Sequence, residues 1–102
     1  MSFPEPNLPN LLEEALEITQ GDRQADYGSP FENWLRTSEI FNAMTGLGLT
    51  PVQCVDMAIA MKLARLFKTP NHRDSMKDLA GYAWVRSEVV AGWNKMQAGS
   101  VK

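Results

Sequence analysis

The chain has 102 residues, of which 44% are hydrophobic and 22% charged, and its formal net charge is −2. This size and composition are typical of one globular domain rather than a disordered chain, and the lack of a basic excess argues against a nucleic-acid-binding protein. The single cysteine, Cys54, excludes an internal disulfide and is expected in the core, and no apolar run approaches the roughly 20 residues of a membrane span.

A first helix is predicted from Asn10, which can cap it, to about Gln20, because apolar residues recur between them at helical spacing. Gly21 follows its end. Residues 1–9 contain three prolines and no apolar segment of the kind found in signal peptides. We therefore expect these residues to be flexible and the protein to be cytoplasmic.

The polar segment after the first helix is predicted to be the longest loop of the chain. Gly28 can adopt a left-handed conformation that lets a ligand approach the backbone closely. Tyr27 is suited to stack on a base, and Arg23 to reach a phosphate. The alternative is a surface turn in which Tyr27 is only a hydrophobic anchor.

A second helix is predicted to start at Pro30, with Ser29 as its cap and Glu32 three residues after that cap. Apolar residues then follow one another at spacings of three and four. Gly46 and Gly48 are expected to end the helix.

The third helix repeats this start signal, with Thr50 as cap, Pro51 in the first position and Gln53 three residues after the cap. It is predicted to extend to about Lys68. A residue before a proline is biased out of the helical region, so Pro70 supports this end.

The fourth helix is predicted to be capped by Asn71, with Asp74 in its third position, and to meet no breaker before Gly92 except Gly81. A glycine inside a helix costs about 1 kcal/mol relative to alanine, so Gly81 indicates close packing. The tail over about 95–102 is expected to be flexible. Residues 1–102 therefore form one all-α domain resembling a four-helix bundle.

The short link around Pro70 predicts that helices three and four form an antiparallel hairpin. Residues equidistant from the turn then lie opposite each other, which places Arg65 near Asp74 and Lys62 near Asp78. The two cations share one helix face and the two carboxylates another.

Two interpretations of these charges remain open. They can be an interhelical salt-bridge ladder that fixes the register of the hairpin, worth about 0–1 kcal/mol for each exposed pair. Alternatively, the cations bind a phosphate while the carboxylates orient them or hold a metal ion, since charges on so apolar a helix are partly desolvated. His72 lies at the start of helix four, where free backbone N–H groups favour an anion.

Several motifs together resemble a family of small helical proteins of unknown function, encoded mostly by tailed bacteriophages and prophages. The resemblance covers about residues 11–90. Its motifs are Gly21-Asp22-Arg23, Asp26-Tyr27-Gly28, Asn33, Lys62-Leu63-Ala64-Arg65, His72-Arg73-Asp74-Ser75 and Asp78-Leu79-Ala80-Gly81-Tyr82-Ala83. The pattern is also similar to phage nucleotide-modification-associated helical domains and, more distantly, to MazG-like all-α nucleotide pyrophosphohydrolases.

The pyrophosphohydrolase resemblance implies a Mg²⁺ site built from two pairs of carboxylates. Glu14 and Glu17 match the first Glu-x-x-Glu pair of that family. Asp74 and Asp78 depart from the second, Glu-x-x-Asp pair, because they are four residues apart and Asp74 replaces a glutamate. Glu13, Glu14 and Glu17 can also be the ordinary solvated face of a helix.

These observations favour a phage-type binding protein, without a cofactor, that holds a nucleotide-derived, phosphate-containing ligand in the cytoplasm of a bacterial host. By analogy it would sequester a nucleotide immune signal. The candidate ligand-binding residues are Arg23, Tyr27, Asn33, Lys62, Arg65, His72, Asp74, Asp78 and Tyr82.

The first alternative is a Mg²⁺-dependent pyrophosphohydrolase, and the second is an interaction protein whose hairpin charges are purely structural. A homo-oligomer is expected in addition, because three tryptophans and six methionines exceed what one small core readily hides. Trp84, Trp93 and Met96 are its candidate interface residues.

Overall fold

The computed structural model describes residues 8–20 and 28–100, and over these ranges the chain is helical with short connections and no strand. This confirms the all-α prediction. The helices are α1 (Leu8–Gln20), α2 (Pro30–Thr45), α3 (Pro51–Lys68) and α4 (Arg73–Ser100).

The starts of α2 and α3 are confirmed, because both are fixed by side chains within one turn. The Ser29 hydroxyl accepts a hydrogen bond from the backbone N–H of Glu32 at 3.1 Å. At α3 the exchange is reciprocal: the Gln53 N–H donates to Thr50 Oγ1 at 3.1 Å, and the Thr50 N–H donates to Gln53 Oε1 at 2.9 Å. Each cap satisfies backbone donors that the helix leaves without a partner.

The link between α2 and α3 begins at Gly46, as predicted, and is held by one asparagine. Gly46 takes a left-handed conformation with φ 74°, and its N–H donates to the Asn42 carbonyl. The Asn42 side chain accepts from the Leu49 N–H at 2.7 Å and donates to the Leu49 carbonyl at 2.9 Å. These two hydrogen bonds between Asn42 and Leu49 set where α3 begins relative to α2.

The predicted start of α1 is wrong by three residues, since a cap at Asn10 would make Leu11 the first helical residue. The helix begins at Leu8, so Asn10 lies within its first turn instead of capping it. Pro9 is compatible with this earlier start, since a first-turn residue has no intrahelical use for the N–H that proline lacks. The predicted end at Gln20 is confirmed.

The predicted cap of α4 is also wrong. The helix begins at Arg73, and its cap is His72 rather than Asn71. The Nδ1 atom of His72 accepts from the Ser75 N–H at 3.3 Å and lies 2.7 Å from the Ser75 hydroxyl, which donates to it. Ser75 is fully buried, so the imidazole satisfies both its backbone and its side chain.

The end of α4 expected near Gly92 is wrong as well, because the helix continues to Ser100. A Cβ added at Gly92 would lie 2.8 Å from the Cβ of Phe31 on α2. The glycine therefore lets α2 pack against α4 at a distance no other residue allows, and it does not break the helix.

The long helix α4 contacts each of the other three helices, and α2 and α3 also contact each other. Val55 and Val89 are fully buried at the centre, and Ala15 and Cys54 are nearly so. Cys54 is confirmed as a buried residue, and burial raises the pKa of its thiol. Over the ranges described, the molecule has no helix of the length and apolarity needed to cross a membrane.

Candidate functional site

One of the two predicted ion pairs of the hairpin is present. Lys62 lies on the face of α3 that packs against α4, and its Nζ is 2.8 Å from Oδ2 of Asp78. The two side chains are only 24% and 32% exposed. Partial burial strengthens their attraction relative to a surface pair and holds the ammonium in one place.

An aromatic pair lies next to this ion pair. Tyr82 is one turn after Asp78 on α4, and its ring meets that of Trp34 edge to face, with centroids 6.3 Å apart and planes at 70°. Tyr82 and Trp34 remain partly exposed. Asn33, the predicted site residue that precedes Trp34 on α2, is also partly exposed.

The second predicted ion pair is not formed. Asp74 lies 3.5 Å from Lys77 on its own helix, and its side chain is 75% exposed. Arg65 is exposed, and no ion pair joins its guanidinium to any residue of the described ranges. Of the two cations predicted to pair across the hairpin, Lys62 is neutralised, and Arg65, a turn away, has no carboxylate within ion-pair distance among the described residues.

His72 has a structural role that the sequence did not reveal. Its Nδ1 atom is occupied by Ser75, as described above. Only the opposite nitrogen of the ring is left for a ligand. The predicted phosphate contact through His72 therefore depends on Nε2 alone.

Of the three candidate residues in the loop before α2, only Gly28 lies in the part of the chain that the structure describes. Arg23 and Tyr27 fall outside the described residues. Gly28 takes the predicted left-handed conformation with φ 77°, and a Cβ at this position would lie 2.8 Å from Oε2 of Glu32. Any other residue at position 28 would be strained and would displace that carboxylate.

The carboxylates proposed for Mg²⁺ are dispersed. Glu14 lies 3.1 Å from Nη1 of Arg73, which ties α1 to the start of α4. Glu17 is exposed, and Asp78 is committed to Lys62. In the part of the chain that the structure describes, no three histidine, cysteine or acidic residues are grouped so that they could hold a metal ion.

An ion pair of the hairpin that is joined by two hydrogen bonds was missed by the sequence analysis. Arg86 Nε on α4 donates to Oδ1 of Asp56 on α3 at 2.6 Å, and Nη2 donates to Oδ2 at 3.2 Å. This hydrogen bonding lowers the pKa of Asp56 and raises that of Arg86. The equidistance rule, extended two turns further from Pro70, brings these positions close together and was the available signal.

Comparison with known proteins places the chain among phage proteins. A family model described as a domain of unknown function (DUF6378) matches residues 10–90. The Gene 55 protein of Mycobacterium phage D29 is 36% identical over 74 residues, which are 72% of this chain and 49% of that protein. The Gene 55 protein of Mycobacterium phage L5 is 38% identical over 77 residues, 74% of this chain and 49% of that protein.

The chain thus spans about half the length of the curated relatives it matches. No solved structure matches it at a significant level. The matches confirm the predicted resemblance to a small phage family of unknown function.

Proposed function

This chain belongs to the DUF6378 family, which has relatives in bacteriophages, and we propose that it binds a small, nucleotide-derived ligand containing phosphate. The binding surface is the hairpin wall, defined as Lys62, Arg65, Asp78, Tyr82 and Trp34. It lies along the contact of α3 with α4 and reaches the start of α2.

The observation that carries this proposal is the contrast between two cations one turn apart. Lys62 is partly buried and held by Asp78 at 2.8 Å, whereas Arg65 is exposed and has no carboxylate among the described residues. A planar guanidinium offers paired N–H donors that match two phosphate oxygens. Arg65 is therefore the anion contact, and Lys62 adds positive potential from a fixed position.

The aromatic pair supports a nucleotide rather than a simple anion. Tyr82 and Trp34 are partly exposed and meet edge to face, so neither ring face is fully covered by the other. Stacking of a base on an aromatic ring is worth about 1–3 kcal/mol by alanine substitution.

The test is a titration of the full chain with a panel of mononucleotides, dinucleotides and cyclic nucleotides, followed by calorimetry and by thermal unfolding. We expect at least one of them to bind and to raise Tm. At 100-fold its Kd a ligand adds about 2.7 kcal/mol of stability. If no nucleotide of the panel binds, the hairpin charges are structural and the chain is an interaction protein.

A matched pair of variants tests the site itself. Arg65→Ala should weaken binding about tenfold or more while leaving Tm of the free protein unchanged, because no ion pair of the described residues is lost. Lys68→Ala removes an exposed cation from the same helix and should leave binding unchanged. Equal losses in the two variants would indicate nonspecific attraction and contradict the proposed site.

Binding without turnover distinguishes sequestration from hydrolysis. We propose that the ligand is held intact, as required for a protein that removes a nucleotide signal from solution. After incubation with Mg²⁺ or Mn²⁺, the bound nucleotide should be recovered unchanged by chromatography. Recovery of a monophosphate and pyrophosphate would instead favour the pyrophosphohydrolase alternative.

A further inference from the structure

The outward face of α3 carries a continuous apolar stripe. Its members are Met57, Ala60, Met61, Leu63, Ala64 and Phe67, all of them exposed. Phe67 is 93% exposed and Met61 71%. Met57, Ala60, Ala64 and Phe67 are separated by three, four and three residues, which is the spacing found where two helices pack along each other.

The stripe is one contiguous apolar patch rather than a set of separate exposed residues. It amounts to roughly 500 Å² of apolar surface, in the range of the largest patch on a typical monomer. Within the described part of the chain no aromatic side chain is fully buried, and the fully buried residues are small. Each aromatic side chain of the described residues is therefore at least partly exposed, and Phe67 almost completely so.

We propose that a second copy of this chain covers the stripe, with the two α3 helices antiparallel. Such a pair is isologous, so the same stripe is buried on both copies and the interface reaches roughly 1,000 Å² in total, the lower limit for a specific contact. The two-fold axis passes beside the middle of the stripe, between Met61 and Leu63.

The order of the side chains favours this antiparallel arrangement. With the axis at that position, Met57 of one copy faces Phe67 of the other, and Ala60 faces Ala64. The alanines at the centre let the helices approach closely, while the large side chains close both ends. Met61 and Leu63 lie on the two flanks, where each meets its own copy.

Charge supports the same orientation. Arg65, one turn from Met61, borders one flank of the stripe. Asp56, which Arg86 holds, and Lys68 border it on opposite flanks and near opposite ends. In the antiparallel pair, each lies about 18 Å along the axis from its own copy. A parallel pair would bring the two Lys68 side chains and the two helix C-termini together, with like charges and dipoles adjacent.

Sedimentation of the full chain at tens of micromolar tests the dimer. We expect the wild type to sediment as a dimer and Phe67→Asp as a monomer, because the carboxylate would be buried against Met57 of the other copy. Met44→Asp is the matched control, since Met44 is 78% exposed but lies on α2. Both substitutions fall on exposed positions, so far-UV circular dichroism should be unchanged.

A wild-type monomer at these concentrations would overturn the proposal, as would dissociation by Met44→Asp but not by Phe67→Asp. Orientation is tested by crosslinking in a Cys54→Ala background. Mixing the Ala60→Cys and Ala64→Cys proteins should give a disulfide-linked heterodimer in higher yield than either protein alone, since a disulfide requires Cα atoms within about 7 Å. Homodimeric disulfides in both separate samples would contradict the antiparallel arrangement.

Discussion

The guanidinium of Arg86 on α4 donates two hydrogen bonds to the carboxylate of Asp56 on α3, the shorter of 2.6 Å. Lys62 and Asp78 make a second bridge between the same helices, two turns closer to the connection at Pro70. Two bridges at different heights fix both the rotation and the sliding of one helix relative to the other.

The first prediction concerns the acid stability that Asp56 confers. Because Arg86 lowers the pKa of Asp56 in the folded state, its contribution is complete above the ordinary carboxyl pKa of about 3.9 and is lost as the pH falls through the lowered value. Asp56→Asn should therefore reduce the urea midpoint at pH 7, and the reduction should shrink steadily as the pH falls below the ordinary carboxyl pKa of about 3.9.

The control for this experiment is Glu39→Gln, an exposed carboxylate on α2 for which no ion pair is recorded in the described ranges. Its difference from the wild type should be small at every pH. A pH-independent effect of Asp56→Asn would show that the guanidinium contact acts through packing and not through charge.

The second prediction concerns the coupling between Lys62 and Asp78. A double-mutant cycle with Lys62→Met and Asp78→Asn should give a coupling free energy of about 1 kcal/mol, because the pair is two thirds or more buried and its contact is 2.8 Å. The cycle for Lys77 and Asp74, which are 3.5 Å apart with Asp74 largely exposed, should give less than about 0.5 kcal/mol. Equal couplings would contradict the burial argument.

The third prediction concerns the close approach of Phe31 to Gly92. Gly92→Ala should lower the free energy of unfolding by about 1–3 kcal/mol, since the new methyl group overlaps the Phe31 side chain. Gly99→Ala is the control, because nothing lies within 4 Å of a Cβ there. That change should be neutral or stabilise the helix by up to about 1 kcal/mol. Gly92→Ala should cost less in a Phe31→Ala background than in the wild type, because the side chain that the methyl group overlaps is then absent.

The fourth prediction concerns the imidazole cap of α4. His72→Ala removes the acceptor for the N–H and hydroxyl of the buried Ser75 and should cost about 1 kcal/mol or more. His72→Asn keeps a side-chain acceptor in reach of the same N–H and should retain most of the stability. Chemical denaturation measures both variants, and an equal loss would mean that capping is not what His72 supplies.

The sequence predicted those parts of the fold that depend on neighbours along the chain. The caps formed by Ser29 and Thr50 involve residues three positions apart, so the local pattern contains all the information. Gly92 was wrongly expected to end the helix. The reason for a glycine there is the close packing of Phe31, which is distant in sequence and near only in the folded chain. The imidazole of His72 was overlooked because Asn71 is by type the better cap.

The candidate site was predicted in part for the same reason. Equidistance from the turn gave Lys62 and Asp78 correctly, but it takes no account of competing partners. Asp74 has Lys77 within reach on its own helix, which needs no tertiary geometry. The edge-to-face contact of Tyr82 with Trp34 depends on how α2 crosses α4, which no short-range pattern contains.

The placement of α1 has a consequence for how the molecule opens. Among the described residues, α1 contacts only α4, whereas α2, α3 and α4 all contact one another. Detaching α1 exposes the buried Ala15 and the surface of α4 beneath it, and it breaks the link from Glu14 to Arg73. Because a single neighbour holds α1, we expect it to detach before the other helices separate. Amide protons of α1 should exchange with solvent ahead of those around Val55 and Val89, before the remaining three helices lose their packing.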